Sequence, residues 1–261
     1  VFLLIAILTV SCATSPTGRR QLMIVSEDSA IADSKHEYTE MIKPYEEQGK
    51  IENDPALKDR VYRITGYLIA QAIKIRPETR DWSWSIKIIN DPKTVNAWAM
   101  AGGKMALYTG LVEKLEATDD ELAQVLGHEI AHALAKHSAE KMSVYMASSI
   151  GVAAVGIAAE NKGLALTGAV LAATLAVQRP NSRTAESEAD QIGVELAAKA
   201  GYDPRAAITL WQKMAKVGGD GPPEFFSTHP SPENREKKLT DLVPEMMPYY
   251  EQKGERPFYE L

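Results

Sequence analysis

Two histidines in the segment 118–138 have the spacing of metal ligands. The segment reads TDDELAQVLGHEIAHALAKHS, and its apolar residues recur with the period of a helix. Thr118, followed three residues later by Glu121, predicts a capping box at the start of this helix. His128 and His132 are four residues apart, so both imidazoles leave one helix face, one turn apart. This geometry suits a tetrahedral Zn²⁺ ion.

The residue after the first histidine has the position of a general base. Glu129 is rotated by about 100° from His128, so it lies off the ligand face and can still reach a water molecule on the metal. His-Glu-x-x-His on a helix is the pattern in which zinc peptidases combine two ligands with a catalytic glutamate. The alternative is a buried helix with two satisfied histidines. Unpaired polar groups are costly to bury, which disfavours that alternative.

A catalytic zinc ion takes three protein ligands, and the segment 184–200 offers the third. Glu186 and Asp190 are four residues apart on one face of a predicted helix, which Gly193 and Ala197 continue. These small residues predict a close approach to the helix of the two histidines. We take Glu186 as the third ligand and Asp190 as the acceptor for the free ring N–H of a ligating histidine. Glu188 points away from this face and should not bind the same ion. A solvated acidic face is the alternative.

The surrounding patterns predict a mostly helical α+β fold. Helices are predicted at 26–50, 54–77, 184–200 and 204–217, and Ser231 with Pro232 predicts the start of a last helix, which leaves His229 in the loop before it. A period-two pattern predicts a strand over 82–88, and two apolar runs around Gly102-Gly103 predict a hairpin. We expect a small antiparallel sheet beside the metal helix. Its edge strand near Asn96–Ala101 could bind an extended polypeptide substrate.

Two uncharged runs, 142–159 and 163–178, are rich in Ala and Gly. Each lies at or below the length of a membrane-spanning helix, about 17–25 residues. We interpret them as a helical hairpin packed on the domain, with a membrane-inserted pair as the alternative.

The N-terminus predicts export from the cytoplasm. Residues 1–10, VFLLIAILTV, are too short to span a membrane and read as the apolar part of a signal peptide. Cys12 is the only cysteine and follows this part as the lipidated cysteine of a bacterial lipobox would. An ordinary cleaved signal with an incidental cysteine is the alternative. We expect a lipid-anchored protein of the bacterial envelope, on the periplasmic side of the outer membrane.

The remaining boundaries follow from composition. A signal and lipobox at 1–12 precede a tether at 13–25, a single domain at 26–250 and a tail at 251–261. The net charge of −6 offers no basic patch for nucleic acid.

Four stretches carry a resemblance to a known family: Asn96-Ala-Trp-Ala, Gly127-His-Glu-Ile-Ala-His132, Glu186-Ser-Glu-Ala-Asp190 and Ser227-Thr-His229-Pro. With them the chain resembles the gluzincin metallopeptidases that include the CAAX prenyl endopeptidases, HtpX, BepA and LoiP, and most of all their periplasmic lipoprotein members. The resemblance implies a zincin-like domain with one Zn²⁺ per chain. It implies that the ligands are His128, His132 and Glu186, the base is Glu129, and Asp190 supports a ligand.

For His229 the resemblance implies a position facing the metal, either as a donor to the reacting carbonyl or as a displaceable ligand. It also implies a zinc-dependent endopeptidase that acts on misfolded or membrane-associated envelope proteins. The alternative is a zinc-containing, chaperone-like quality-control lipoprotein without proteolytic activity. The intact Glu129 favours the enzyme, since a structural metal site needs no base. Trp98, where the family usually has Phe, departs from the pattern without removing a chemical group.

Overall fold

The computed structural model describes residues 12–158, 162–174, 177, 179–217, 224–230 and 234–261. The strands are β1 (Cys12–Thr14), β2 (Arg20–Leu22), β3 (Ser85–Ile89), β4 (Ala97–Met100) and β5 (Lys104–Tyr108). The helices are α1 (Glu27–Glu47), α2 (Pro55–Ile75), α3 (Thr109–Lys114), α4 (Asp119–Leu134), α5 (His137–Ala158), α6 (Lys162–Ala173), α7 (Arg179–Ala200), α8 (Ala206–Lys216), α9 (Glu224–Thr228) and α10 (Arg235–Tyr250). A 3-10 turn spans Pro77–Asp81. This mostly helical α+β composition confirms the predicted fold class.

Helix α4 is the centre of the core. It packs against α2, α7 and α8, and β4 lies along its side. The capping box is formed, because the Thr118 hydroxyl accepts from the N–H of Glu121 and the Glu121 carboxylate accepts from the N–H of Thr118. The apolar stripe of the helix is fully buried at Leu122, Val125 and Ile130. The burial of this stripe orients the remaining face, and with it the two histidines.

Two glycines bring α4 and α7 into backbone contact. A Cβ atom added at Gly193 would lie 2.7 Å from the backbone nitrogen of His128, and one added at Gly127 would lie 2.8 Å from the carbonyl oxygen of Gly193. Real Cβ atoms do not approach backbone atoms so closely, so a larger residue at either position would separate the helices. The small residues predicted to allow close approach do so, and the contact occurs beside a predicted ligand.

The three-stranded sheet has the order β3-β5-β4. Strands β4 and β5 form the predicted antiparallel hairpin, and Gly102 and Gly103 both adopt positive φ in its turn. Strand β3 pairs with β5 in parallel, so the sheet is mixed rather than antiparallel throughout. The loop after β3 crosses to the far edge of the sheet, where β4 begins. The hairpin then returns β5 to the position between them, so β5 runs parallel to β3. Strand β4 is therefore an edge, as predicted.

The segment 13–25, predicted as a tether, is a docked structure. Strands β1 and β2 pair as an antiparallel hairpin, which we call the N-terminal hairpin (residues 12–22). Arg19 forms ion pairs with Glu140 of α5 and Glu188 of α7, and Gln21 is buried and donates to the Ala135 carbonyl. These contacts were not anticipated, because a polar, turn-rich composition does not reveal the buried carboxylates that the segment contacts.

The uncharged runs form the predicted pair of helices, α5 and α6, which pack on each other. Only the start of α5 is embedded in the domain, where the buried Ser143 hydroxyl accepts from the N–H groups of Ile24 and Val25. Farther along, large apolar side chains are exposed, among them Ile150 at 58% and Ile157 at 84%. The hairpin thus packs on the domain only at its base. Within the described parts of the chain, no helix has both the length and the apolar character needed to cross a membrane.

The C-terminal part differs from the expectation in two ways. His229 lies between two helices as predicted, but a short helix that was not predicted, α9, directly precedes it, and the last helix, α10, begins at Arg235. Residues of the predicted tail pack on α2: Tyr259 donates its N–H to the Gly66 carbonyl at 3.2 Å, and Phe258 contacts Tyr67 edge to face. The predicted signal residues 1–11 and the predicted cap at Ser231 and Pro232 lie outside the described residues.

Candidate metal centre

Helices α4 and α7 bring the three predicted ligands together. His128 Nε2 and His132 Nε2 lie 3.1 Å apart. The Glu186 carboxylate of α7 faces both, with Oε2 at 3.2 Å from His128 Nε2 and Oε1 at 3.5 Å from His132 Nε2. His229 joins them, so that one ligand atom from each of the four residues lies within 4.8 Å of the other three.

The chemistry of this cluster fits a cation. Imidazole nitrogens and a carboxylate oxygen converge on one point, and all three imidazoles and the carboxylate are largely buried. Within the described residues, the buried Oε2 of Glu186 accepts no hydrogen bond despite its nearness to His128. Burial alone would raise the pKa of Glu186, but the facing histidines His132 and His128 lower it below its usual value. The carboxylate is therefore ionised and suited to a metal ion.

Asp190 supports the first histidine from behind. Its Oδ1 lies 3.0 Å from His128 Nδ1, on the opposite side of the ring from the cluster. Burial opposes protonation of this imidazole, yet Asp190 and Glu186 raise the pKa of His128 to about 9. Arg235 of α10 donates to the same Asp190 oxygen at 2.5 Å, and its guanidinium stacks on Trp211 at 3.3 Å from the ring centre. Asp190 is thus held on two sides.

Glu129 lies beside the cluster without belonging to it. Its Oε2 accepts from the N–H of Ala99 on β4 at 3.0 Å, and its Oε1 is 3.3 Å from His229 Nε2. The side chain is almost fully buried, and this burial raises the pKa of the carboxyl group. A carboxylate whose pKa is raised toward neutrality is a better general base.

His229 is held by α9 rather than by a loose loop. Its backbone N–H donates to the Phe225 carbonyl at 2.8 Å, and its ring stacks on the Phe225 ring at 4.3 Å between centroids. His229 Nδ1 is 3.3 Å from Glu186 Oε1 and 3.4 Å from His128 Nε2. The ring therefore occupies the place of a fourth ligand.

His137 is a site residue that the sequence reasoning did not assign. Its Nδ1 is 2.9 Å from Nδ1 of His132, and its Nε2 is 3.1 Å from Glu188 Oε2. Glu188 itself lies outside the ligand cluster, as its helical phase predicted. Burial would raise its pKa, but hydrogen bonds from His137, Ser15, Thr17 and Arg19 lower the pKa of Glu188 to about 2.

Arg235 was also missed. Its residue type gave no signal, because an arginine on a short charged stretch usually faces solvent. The signal for His137 was its place in a histidine-rich run. It was overlooked because five residues along an unbroken helix would turn its side chain away from that of His132. His36 is exposed on α1 and lies outside the cluster.

A cavity of about 200 Å³ opens onto the cluster. Glu129, His132 and His229 line its floor, and Trp98 and Ala99 of β4 line one wall. The edge strand therefore borders the space in front of the predicted base.

Comparison with known proteins was consistent with this geometry. The family model described as Peptidase family M48 matches residues 55–243. The mitochondrial metalloendopeptidase OMA1 of Bos taurus is 34% identical over 243 residues, which cover 88% of this chain and 46% of that protein. OMA1 of Arabidopsis thaliana is 38% identical over 168 residues, 60% of this chain and 31% of that protein.

A bacterial relative, the putative beta-barrel assembly-enhancing protease of Vibrio cholerae, is 32% identical over 192 residues, 70% of this chain and 38% of that protein. The chain spans about half the length, or less, of these curated relatives. The mitochondrial proteins were not anticipated from the sequence. The family match covers more than half of the chain and includes the ligand cluster, Glu129 and His229, so the chain belongs to Peptidase family M48.

Proposed function

We propose that this protein is a zinc-dependent endopeptidase that hydrolyses polypeptides with Glu129 as general base. One observation carries the proposal: a buried carboxylate with a raised pKa lies next to the cluster of His128, His132 and Glu186 but off its ligand face. A purely structural metal site has no use for such a group. The names of the relatives, which are metalloendopeptidases and proteases, support the same conclusion.

The ligand set supports one Zn²⁺ ion per chain. Two imidazoles and a carboxylate are the ligands of many catalytic zinc sites, which keep a fourth position for water. Zinc bound there would activate water near neutral pH and polarise the scissile carbonyl. Glu129 would take a proton from the attacking water and deliver it to the leaving amine. Asp190 would hold His128 in the tautomer that leaves Nε2 free to bind the metal.

We propose that the substrate binds as an extended strand along β4. Because Asn96 pairs with Tyr108, the N–H groups of Ala97 and Ala99 face away from β5. The N–H of Ala99 donates to Glu129 instead of to a strand. A polypeptide added at this edge would run past Glu129 and across the cavity. We propose misfolded or membrane-associated proteins of the cell envelope as its source; the name of the bacterial relative refers to beta-barrel assembly.

Casein digestion tests the proposal. Cleavage by the zinc-loaded wild-type protein but not by its Glu129→Gln variant would support it. Cleavage by neither protein would favour the chaperone-like alternative, and equal cleavage by both would remove Glu129 from the mechanism.

We further propose that His229 keeps the enzyme latent by occupying the fourth position on the metal. Replacement with asparagine, which binds zinc poorly but can still donate a hydrogen bond, is expected to raise the basal rate of casein cleavage. Replacement with alanine should raise it less, because a donor to the developing oxyanion is lost as well. Initial rates on casein with zinc-saturated protein measure both effects.

A fall of roughly 10²–10³-fold in His229→Ala, with a much smaller fall in His229→Asn, would instead assign the residue only the role of oxyanion donor. Unchanged rates in both would end the claim that it takes part in catalysis. His36→Asn, on the exposed face of α1, is the matched control.

Finally, we propose that a lipid on Cys12 anchors the protein to the envelope. The apolar segment 1–10 before this single cysteine supports the proposal. Expressed in a bacterium, the Cys12→Ala variant should move from the membrane fraction to the soluble fraction, whereas Ser11→Ala should not. Retention of Cys12→Ala in the membrane would point to the exposed apolar side chains of α5 and α6 as the attachment instead.

A further inference from the structure

His137 lies where it can orient a predicted ligand. Helix α4 ends at Leu134, and Lys136 adopts a left-handed conformation with φ 57° before α5 begins. This break turns the chain back, so that the ring of His137 meets the ring of His132 although five residues separate them. The contact joins the Nδ1 atoms of both rings, on the side of His132 away from the cluster.

The contacts determine which ring nitrogens of His132 and His137 carry protons. If His132 binds the metal through Nε2, its single ring proton is on Nδ1. That N–H can donate only if His137 Nδ1 accepts, which places the proton of His137 on Nε2. Nε2 of His137 in turn faces Glu188 Oε2 at 3.1 Å, where an ionised carboxylate accepts it. The contact between His132 and His137 and the contact between His137 and Glu188 therefore each have one donor and one acceptor.

Glu188 is fixed by the N-terminal hairpin. Arg19 donates through Nε to Glu188 Oε2 at 2.6 Å, and the hydroxyls of Ser15 and Thr17 donate to Oε1. Arg19 also forms a bidentate pair with Glu140, at 2.7 and 2.5 Å. The carboxylate is only 5% exposed. Three side chains of one short hairpin thus converge on the Glu188 carboxylate.

The two ligand histidines are consequently supported in different ways. His128 reaches its carboxylate, Asp190, directly. Among the described residues, His132 contacts no carboxylate on its Nδ1 side and is linked to Glu188 through the ring of His137, which lies between them. Partners of this kind fix the tautomer and orientation of a ligand, and their loss typically lowers metal affinity about 10–100-fold.

We propose that His137 and Glu188 are positioning residues for the ligand His132. Docking of the N-terminal hairpin through Arg19 fixes the position of Glu188, and through it that of His137, and so sets the metal affinity of the site. The inference rests on the proposed metal function and deepens it. It assigns to residues 12–22 a part in the metal centre, to which they contribute no ligand.

Zinc titration in competition with a chromophoric chelator tests the proposal on the full chain. His137→Leu, which can neither accept from His132 nor donate to Glu188, is expected to weaken zinc binding about 10–100-fold. His137→Gln offers a carbonyl oxygen and an N–H group and should restore part of the affinity. In the Co²⁺-loaded protein, the visible absorption bands should shift in His137→Leu and return toward those of the wild type in His137→Gln.

The hairpin is tested by a matched pair of variants. Arg19→Met should weaken zinc binding in the same direction by a smaller factor, whereas Arg20→Met, at the exposed next position, should not change it. Circular dichroism and thermal unfolding of the metal-free proteins identify any variant that fails to fold. Such a variant is replaced in the zinc titration by Glu188→Gln, which should also weaken zinc binding.

The outcomes separate this inference from the proposed function. Wild-type protein that binds zinc and cleaves casein, together with His137→Leu and Arg19→Met variants that bind zinc as tightly, would overturn the positioning role alone. Wild-type protein that binds no zinc would overturn both. Weakened affinity in His137→Leu with no recovery in His137→Gln would also contradict the positioning role, since a general packing defect would explain it.

Discussion

Replacement of Glu129 with glutamine is expected to abolish casein cleavage while one zinc ion per chain remains bound. The glutamate lies off the ligand face and accepts from the N–H of Ala99, so the amide should fit the same space. An amide cannot take a proton from water at neutral pH. Loss of general base catalysis should therefore lower the rate by about 10²–10⁴-fold.

The measurement combines zinc analysis of the purified variant with initial rates on casein. Glu195→Gln is the matched control, because Glu195 lies on α7 and pairs with Lys199 one turn away. A Glu129 variant that has lost its zinc would make Glu129 a ligand rather than a base, and a variant with wild-type rates would remove it from the reaction.

Replacement of Glu186 with alanine is expected to empty the metal site. Its carboxylate faces both histidines and carries the charge that neutralises the cation. Without it, only imidazoles face the metal, and the buried site keeps an uncompensated positive charge, which is costly. Because loss of a supporting residue already lowers affinity about 10–100-fold, loss of a ligand should exceed that range.

Zinc occupancy after dialysis against a weak chelator measures this effect. The Glu195→Gln control should retain wild-type occupancy. Glu188→Gln should retain one zinc per chain when zinc is supplied in excess, since Glu188 lies outside the cluster. Full occupancy in Glu186→Ala, with loss in Glu188→Gln, would reverse the two assignments.

Residue spacing alone predicts those parts of the site that lie on a single helix. A straight helix places residues four apart on the same face, so His128 and His132 could be paired from their spacing, and so could Glu186 and Asp190. Capping at Thr118 and the buried stripe follow from the same local rules. Gly193 could be interpreted as a point of close approach because a glycine on a helix face has few other uses there.

Contacts that depend on an interrupted helix or on segments far apart in the chain could not be predicted from the sequence and emerge only in the folded protein. The left-handed Lys136 interrupts the helix and brings His137 back onto His132, which no helical period predicts. The parallel pairing of β3 with β5 depends on the path of a loop. Arg19 and Arg235 are separated from the carboxylates they bind by long stretches of chain, and isolated arginines carry no signal of burial. Composition described residues 13–25 correctly as polar, but whether polar side chains face water or a buried carboxylate is decided by the surface onto which they fold.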